Sequence, residues 1–158
     1  MTKSANARTA LTALATGVIL GLSLTSTALA NNSGTIQLKG TVAAVCTIQV
    51  TDSSASLNIT GGENNKPVGT VQENCNSGSG YTITITSQNG GNLKAGNAAV
   101  SYQVNYDGQT SGLDSAMVVT RQTAQFGKTT TVGVSMAANA TAVAGSYADT
   151  LTLQIASK

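Results

Sequence analysis

Every even position from 34 to 50 is apolar or glycine: Gly34, Ile36, Leu38, Gly40, Val42, Ala44, Cys46, Ile48 and Val50. The odd positions between them are mostly polar, with Ala43 and Val45 the exceptions. A period of two predicts a strand with one buried face. Its length is unusual: strands commonly run about 5–6 residues, and this pattern spans 17 positions. Straight, it would reach on the order of 56 Å at ~3.3 Å per residue. A domain of this size has a radius of gyration near ~14 Å. Either the chain bends at Gly40, or its first part leaves the domain and buries its apolar face elsewhere.

Shorter alternating runs follow. They predict strands over 56–60 (Leu57 and Ile59), 67–75, 81–86, 100–106, 117–120, 129–136 and 146–155. Over 67–75, Val71, Glu73 and Cys75 share one face, and the pattern does not say which way it points. The last run places Tyr147, Asp149, Leu151, Leu153 and Ile155 on one face. Between the runs lie turn and loop signals: GGENNK at 61–66, NSGSG at 76–80, QNGGN at 88–92, Asp107-Gly108, and 139–144. From residue 31 onward no stretch of ten or more residues has helical spacing, and there is no internal repeat or linker. Seven or eight short strands at this spacing predict an all-β fold, an immunoglobulin-like β-sandwich of Greek-key type.

Residues 1–30 read differently. Lys3 and Arg8 precede an apolar stretch over 10–24, which ends in Ala28-Leu29-Ala30, a small-x-small cleavage site. This is the pattern of a secretory signal peptide, and residues 31–158 are expected to form a single domain. The rival reading, a membrane anchor, has too short a core and no basic flank. Without Lys3 and Arg8, six basic residues balance six acidic ones. Nothing in that balance draws the protein to nucleic acid or anionic lipid. The two cysteines, Cys46 and Cys75, both lie in the exported part. An even count in an oxidising compartment points to one disulfide, with two buried free thiols as the alternative.

The ends of the chain pose an edge problem. Nothing after Ile155 covers the row Leu151, Leu153 and Ile155, and Gly34, Ile36 and Leu38 have no obvious place in their own domain. The sandwich is therefore expected to be incomplete, with the extension of one copy (residues 31–40) filling the groove of the next. Such a contact is heterologous and does not close, so it builds a linear fibre. The plainer alternatives are a first strand curled onto its own sheet and a last strand already covered on both sides.

At the level of motifs, Gly34-Thr-Ile-Gln-Leu-Lys-Gly-Thr-Val followed by Cys46 resembles the start of chaperone–usher pilins. Glu73-Asn74-Cys75 lies where that family closes its bridge. The ending Ala144-Gly-Ser-Tyr-Ala-Asp-Thr-Leu-Thr-Leu-Gln-Ile155 is similar to the final strand of the archaic branch and of spore-coat-protein-U-like domains. The resemblance implies donor-strand complementation. Gly34, Ile36 and Leu38 would be inward donor positions, Leu151, Leu153 and Ile155 would line the accepting groove, and Cys46 and Cys75 would form the bridge. The implied partners are identical or related pilin subunits, a periplasmic chaperone and an outer-membrane usher. The implied location is the periplasm in transit and then a cell-surface pilus supporting adhesion or biofilm formation.

Other chemistry finds little support. There is no histidine, which removes histidine triads and histidine metal sites. No nucleophile elbow or phosphate-binding glycine loop occurs, and the six carboxylates form no recognisable pair. The expectation is a non-enzymatic protein without cofactor, metal or small-molecule substrate. Asp107 and Asp114 read as solvated turn residues rather than a calcium site. Tyr102 and Tyr106 read as core rather than a sugar platform. Asn58-Ile-Thr60 and Asn139-Ala-Thr141 match a glycosylation pattern that arises easily in a chain rich in Asn and Thr. The alternative function is a self-contained carbohydrate-binding or adhesin sandwich, or a spore-coat-like structural protein.

Overall fold

The computed structural model describes residues 32–158. The expected signal peptide, residues 1–30, lies outside them. The chain divides after Lys39. Residues 32–39 have no regular secondary structure and are exposed throughout.

From Gly40 onward the described residues are all-β, with no helix. The strands are β1 (Cys46–Asp52), β2 (Glu63–Cys75), β3 (Tyr81–Ser87), β4 (Asn92–Ala95), β5 (Ala98–Ser101), β6 (Gln103–Tyr106), β7 (Gln109–Ser111), β8 (Met117–Arg121), β9 (Gln125–Met136) and β10 (Leu151–Ser157). One sheet has the order β1-β2-β9-β6-β7 and a second the order β10-β3-β8, all pairs antiparallel. A small β4–β5 hairpin stands beside them.

Alternation explains the core. The inward rows Val71, Glu73, Cys75 (β2), Val104, Tyr106 (β6) and Val132, Val134, Met136 (β9) belong to the first sheet. They meet Tyr81, Ile83, Ile85 (β3) and Met117, Val119 (β8) of the second across one apolar layer. This is an immunoglobulin-like β-sandwich. The face of 67–75 left open by the sequence is the buried one. Cys46 and Cys75 are opposite each other in register and form a disulfide, with Cα atoms 4.0 Å apart.

Several elements differ from the pattern reading. Strand structure does not extend from 34 to 50: it begins at Cys46, where β2 first offers a ladder partner, and runs on to Asp52. No strand forms over 56–60. Asn58 Oδ1 accepts from Gly61 N at 2.9 Å and from Thr60 Oγ1 at 3.2 Å, and the chain turns there. The loop expected at 61–66 is largely the irregular start of β2, which carries register shifts against β9 between Glu63 and Lys66 and between Pro67 and Gly69. The strand expected over 100–106 breaks at Tyr102: β5 turns back on β4, and β6 pairs with β9 and β7.

The last strand starts at Leu151 rather than 146 because the preceding segment pairs elsewhere. Lys94 and Ala148 exchange both backbone bonds at 3.0 Å, tying that segment to β4. Asp149 fixes the corner. Its carboxylate accepts from Ser87 Oγ and Tyr102 Oη at 2.5 Å each and from Asn89 N at 3.0 Å.

Candidate functional site

Strands β1 and β10 each end a sheet, so among the described residues each has one backbone edge without a neighbour. They approach one another without pairing. Between them lies a groove of about 670 Å³. Val50 from β1, Leu57 and Ile59 from the following loop, Val68 from β2, and Leu151 and Leu153 from β10 supply its apolar lining. Below them Leu93, Val132 and Val134 belong to the core. Tyr102, Tyr147 and Asp149 also line it.

The alternation in β1 and β10 turns these side chains inward, yet none is covered as a core residue is. Val50 shares a face with Cys46 and Ile48 and is still 49% exposed. Leu57, Ile59, Val68, Leu151 and Leu153 pack on the core cluster and are half-buried. In a finished sandwich an inward row at this depth is sealed by the neighbouring strand. An unpaired edge flanked by open apolar side chains is a template for a further strand.

Of the residues singled out from the sequence, Leu151 and Leu153 line this groove. Ile155 lies on the same face and is half-buried against the core, but it is not among the lining residues. Gly34, Ile36 and Leu38 lie in the exposed segment, with Ile36 and Leu38 89% and 91% exposed. Val50, Leu57, Ile59 and Val68 were not singled out as groove residues. Their signal is faint: Val50 closes the long alternating row, and Leu57 and Ile59 read as one short strand.

A second feature escaped the sequence reading. Glu73 is fully buried, and its two oxygens take four bonds. Tyr81 Oη donates to Oε2 and Tyr106 Oη to Oε1, both at 2.6 Å. Arg121 donates through Nε to Oε2 at 2.9 Å and through Nη2 to Oε1 at 2.7 Å. Burial by itself raises the Glu73 pKa. The bonds from Arg121, Tyr106 and Tyr81 outweigh it and hold the carboxyl below its ordinary value. Asp107, read as a solvated turn residue, takes the other Arg121 nitrogen and also Lys128 Nζ at 3.3 Å. A carboxylate with every lone pair engaged holds the sandwich together and has no free valence for a ligand. Tyr102 and Tyr106 are buried, as read.

No protein-family model matches the chain, and no curated protein matches it. Among solved structures it is similar to the E. coli Hda pilus minor tip subunit, HdaB, at 12% identity and a TM-score of 0.43, over 72% of this chain and 84% of that one.

Proposed function

We propose that this protein is a structural subunit of an exported fibre, assembled when the N-terminal segment of one copy enters the groove of the next. The observation that carries the reading is the open groove between two unpaired edges, in a chain that also carries an exposed alternating segment. Ile36 and Leu38 have the spacing of one strand face, and Gly34 continues the row with no side chain. Each Ile or Leu buried in this way contributes about 1.5–3 kcal/mol. Backbone pairing along β1 or β10 supplies register.

The difference between the two parts favours a chain over a closed dimer. The groove lies at the Val50–Asp52 end of β1 and the Leu151–Leu153 end of β10. The donor segment and the accepting groove are different parts of the chain, so the contact between copies is heterologous and propagates. Together with the resemblance of both chain ends to chaperone–usher pilins, this makes a pilus subunit the reading we adopt. Its partners are then identical or related subunits, with a periplasmic chaperone protecting the open groove and an outer-membrane usher at the site of exchange. The fibre would stand on the cell surface, where adhesion or biofilm formation is its natural role.

The test is a fusion. Residues 31–45 of a second copy, joined after Lys158 by a short flexible linker, are expected to give a stable monomer with a markedly raised Tm. A fusion that melts with the unmodified chain and still self-associates would sink the proposal.

A further inference from the structure

Upstream of Cys46 the β1–β2 ladder has ended, yet the chain is still held. Asn76, the residue after the second cysteine, does this with three bonds. Its backbone N donates to Val45 O at 3.1 Å. Its side-chain Oδ1 accepts from Val45 N at 2.6 Å. Its Nδ2 donates to Ala43 O at 2.9 Å. The carboxamide acts as one more peptide group, carrying the ladder three residues beyond the disulfide, to Ala43, while the main chain turns away at Ser77. Every described residue before Cys46 is exposed and outside regular structure, and of these Ala43 and Val45 are held by Asn76.

We infer that Asn76 is a positioning residue for fibre assembly: its carboxamide fixes the point where the donor segment leaves the domain and so sets the linker between consecutive copies. The inference rests on the strand-exchange reading above. Lys39, Gly40, Thr41 and Val42 are the four residues between the last donor position, Leu38, and the clamp at Ala43. Extended, four residues span about 13 Å. A clamp at Ala43 therefore keeps neighbouring subunits close and limits their swing. Without the carboxamide, Ala43 and Ala44 are released as well, and only the Asn76 N to Val45 O bond and the disulfide still hold the chain.

Two substitutions in the full exported chain test this. Asn76→Ala removes both side-chain bonds and leaves the backbone bond and the disulfide. Asn76→Asp keeps the acceptor for Val45 N and loses the donor to Ala43 O. In Asn76→Ala the Val45 amide is expected to exchange about fivefold faster, as loss of one hydrogen bond of ~1 kcal/mol implies. The limit of protease cleavage should move from Val42 toward Cys46. In Asn76→Asp the Val45 amide should stay protected while cleavage near Ala43 rises. Both variants should melt within a few degrees of the parent, and fibres of Asn76→Ala should bend more sharply in electron micrographs.

Unchanged Val45 exchange and an unmoved cleavage limit in Asn76→Ala would overturn the clamp. Equally stiff variant fibres would overturn its role in spacing. If the parent chain forms no fibre at all, the strand-exchange reading fails, and the exchange and cleavage measurements still decide whether Asn76 anchors the segment.

Discussion

Glu73 is the residue on which the most interactions converge. It sits on β2 beside Tyr106 of β6 in one sheet, and it bonds Tyr81 of β3 and Arg121 of β8 in the other. The cluster therefore fixes how the two sheets face each other. Neutralising Glu73 weakens its charge-assisted bonds and leaves Arg121 with Asp107 as its carboxylate partner, at a cost of about 1.5–3 kcal/mol. Glu73→Gln should lower the urea midpoint accordingly with little change in slope. The same network predicts acid sensitivity. The folded-state pKa of Glu73 lies below its ordinary 4.5. Its contribution is thus complete above 4.5 and is lost as the pH falls through the lower, folded value. Asp107 and Asp149 are shifted in the same direction, Asp107 by Arg121 and Lys128 and Asp149 by Ser87 and Tyr102, in each case against a burial effect that raises the pKa. Thermal melts should therefore decline from about pH 4.5 downward, and Glu73→Gln should flatten that decline. A curve of unchanged shape in the variant would show that other carboxylates govern it.

At the scale of elements, the legible parts of the fold are those where one face is buried and the other is wet. β3 and the inner half of β9 alternate cleanly, and the structure keeps them. The β4–β5 hairpin was missed because its four-residue strands are too short for alternation to register, and its turn depends on Gly96 at a positive φ. The early end of the expected last strand was missed for another reason. Tyr147 and Asp149 do continue the odd-face row, but Asp149 bonds Ser87, Asn89 and Tyr102, and that corner sends the backbone to β4. Long-range hydrogen bonds leave no periodic trace. The groove was half legible: Leu151 and Leu153 stood out as an uncovered row, whereas Leu57, Ile59 and Val68 come from segments whose approach depends on the turn at Asn58 and the irregular start of β2. The disulfide acts at this scale too. It closes a loop with a sequence separation of 29 between β1 and β2. In the chain-entropy model that is worth about 3–4 kcal/mol. A Cys46→Ser, Cys75→Ser double variant should lose that much in chemical denaturation, and β1, with one strand neighbour among the described residues, should be the first element to lose amide protection.

For the whole molecule the decisive quantity is where Ile36 and Leu38 find cover. Exposed apolar residues scattered singly are ordinary, so their exposure alone decides nothing. Their spacing and the open groove in the same chain underlie the proposal that the two surfaces are used together, between copies. A charge at either position separates folding from assembly. Neither Ile36 nor Leu38 is covered in the single chain, so Ile36→Asp or Leu38→Asp should leave its melting behaviour intact. In an assembled fibre the same carboxylate would lie against Leu57, Leu151 or their neighbours, where burying an unpaired charge costs several kcal/mol. Fibre formation should stop in both variants, and a synthetic peptide of residues 31–45 carrying either substitution should fail to stabilise the parent chain while the unsubstituted peptide succeeds. A Thr35→Asp control changes charge equally but sits on the opposite strand face, and it should assemble. If all three variants polymerise alike, the alternating row is not what enters the groove. If all three fail alike, repulsion along the segment rather than a buried face controls assembly. Only the pattern in which the even positions fail and the odd position survives ties the periodicity of residues 34–38 to the groove between β1 and β10.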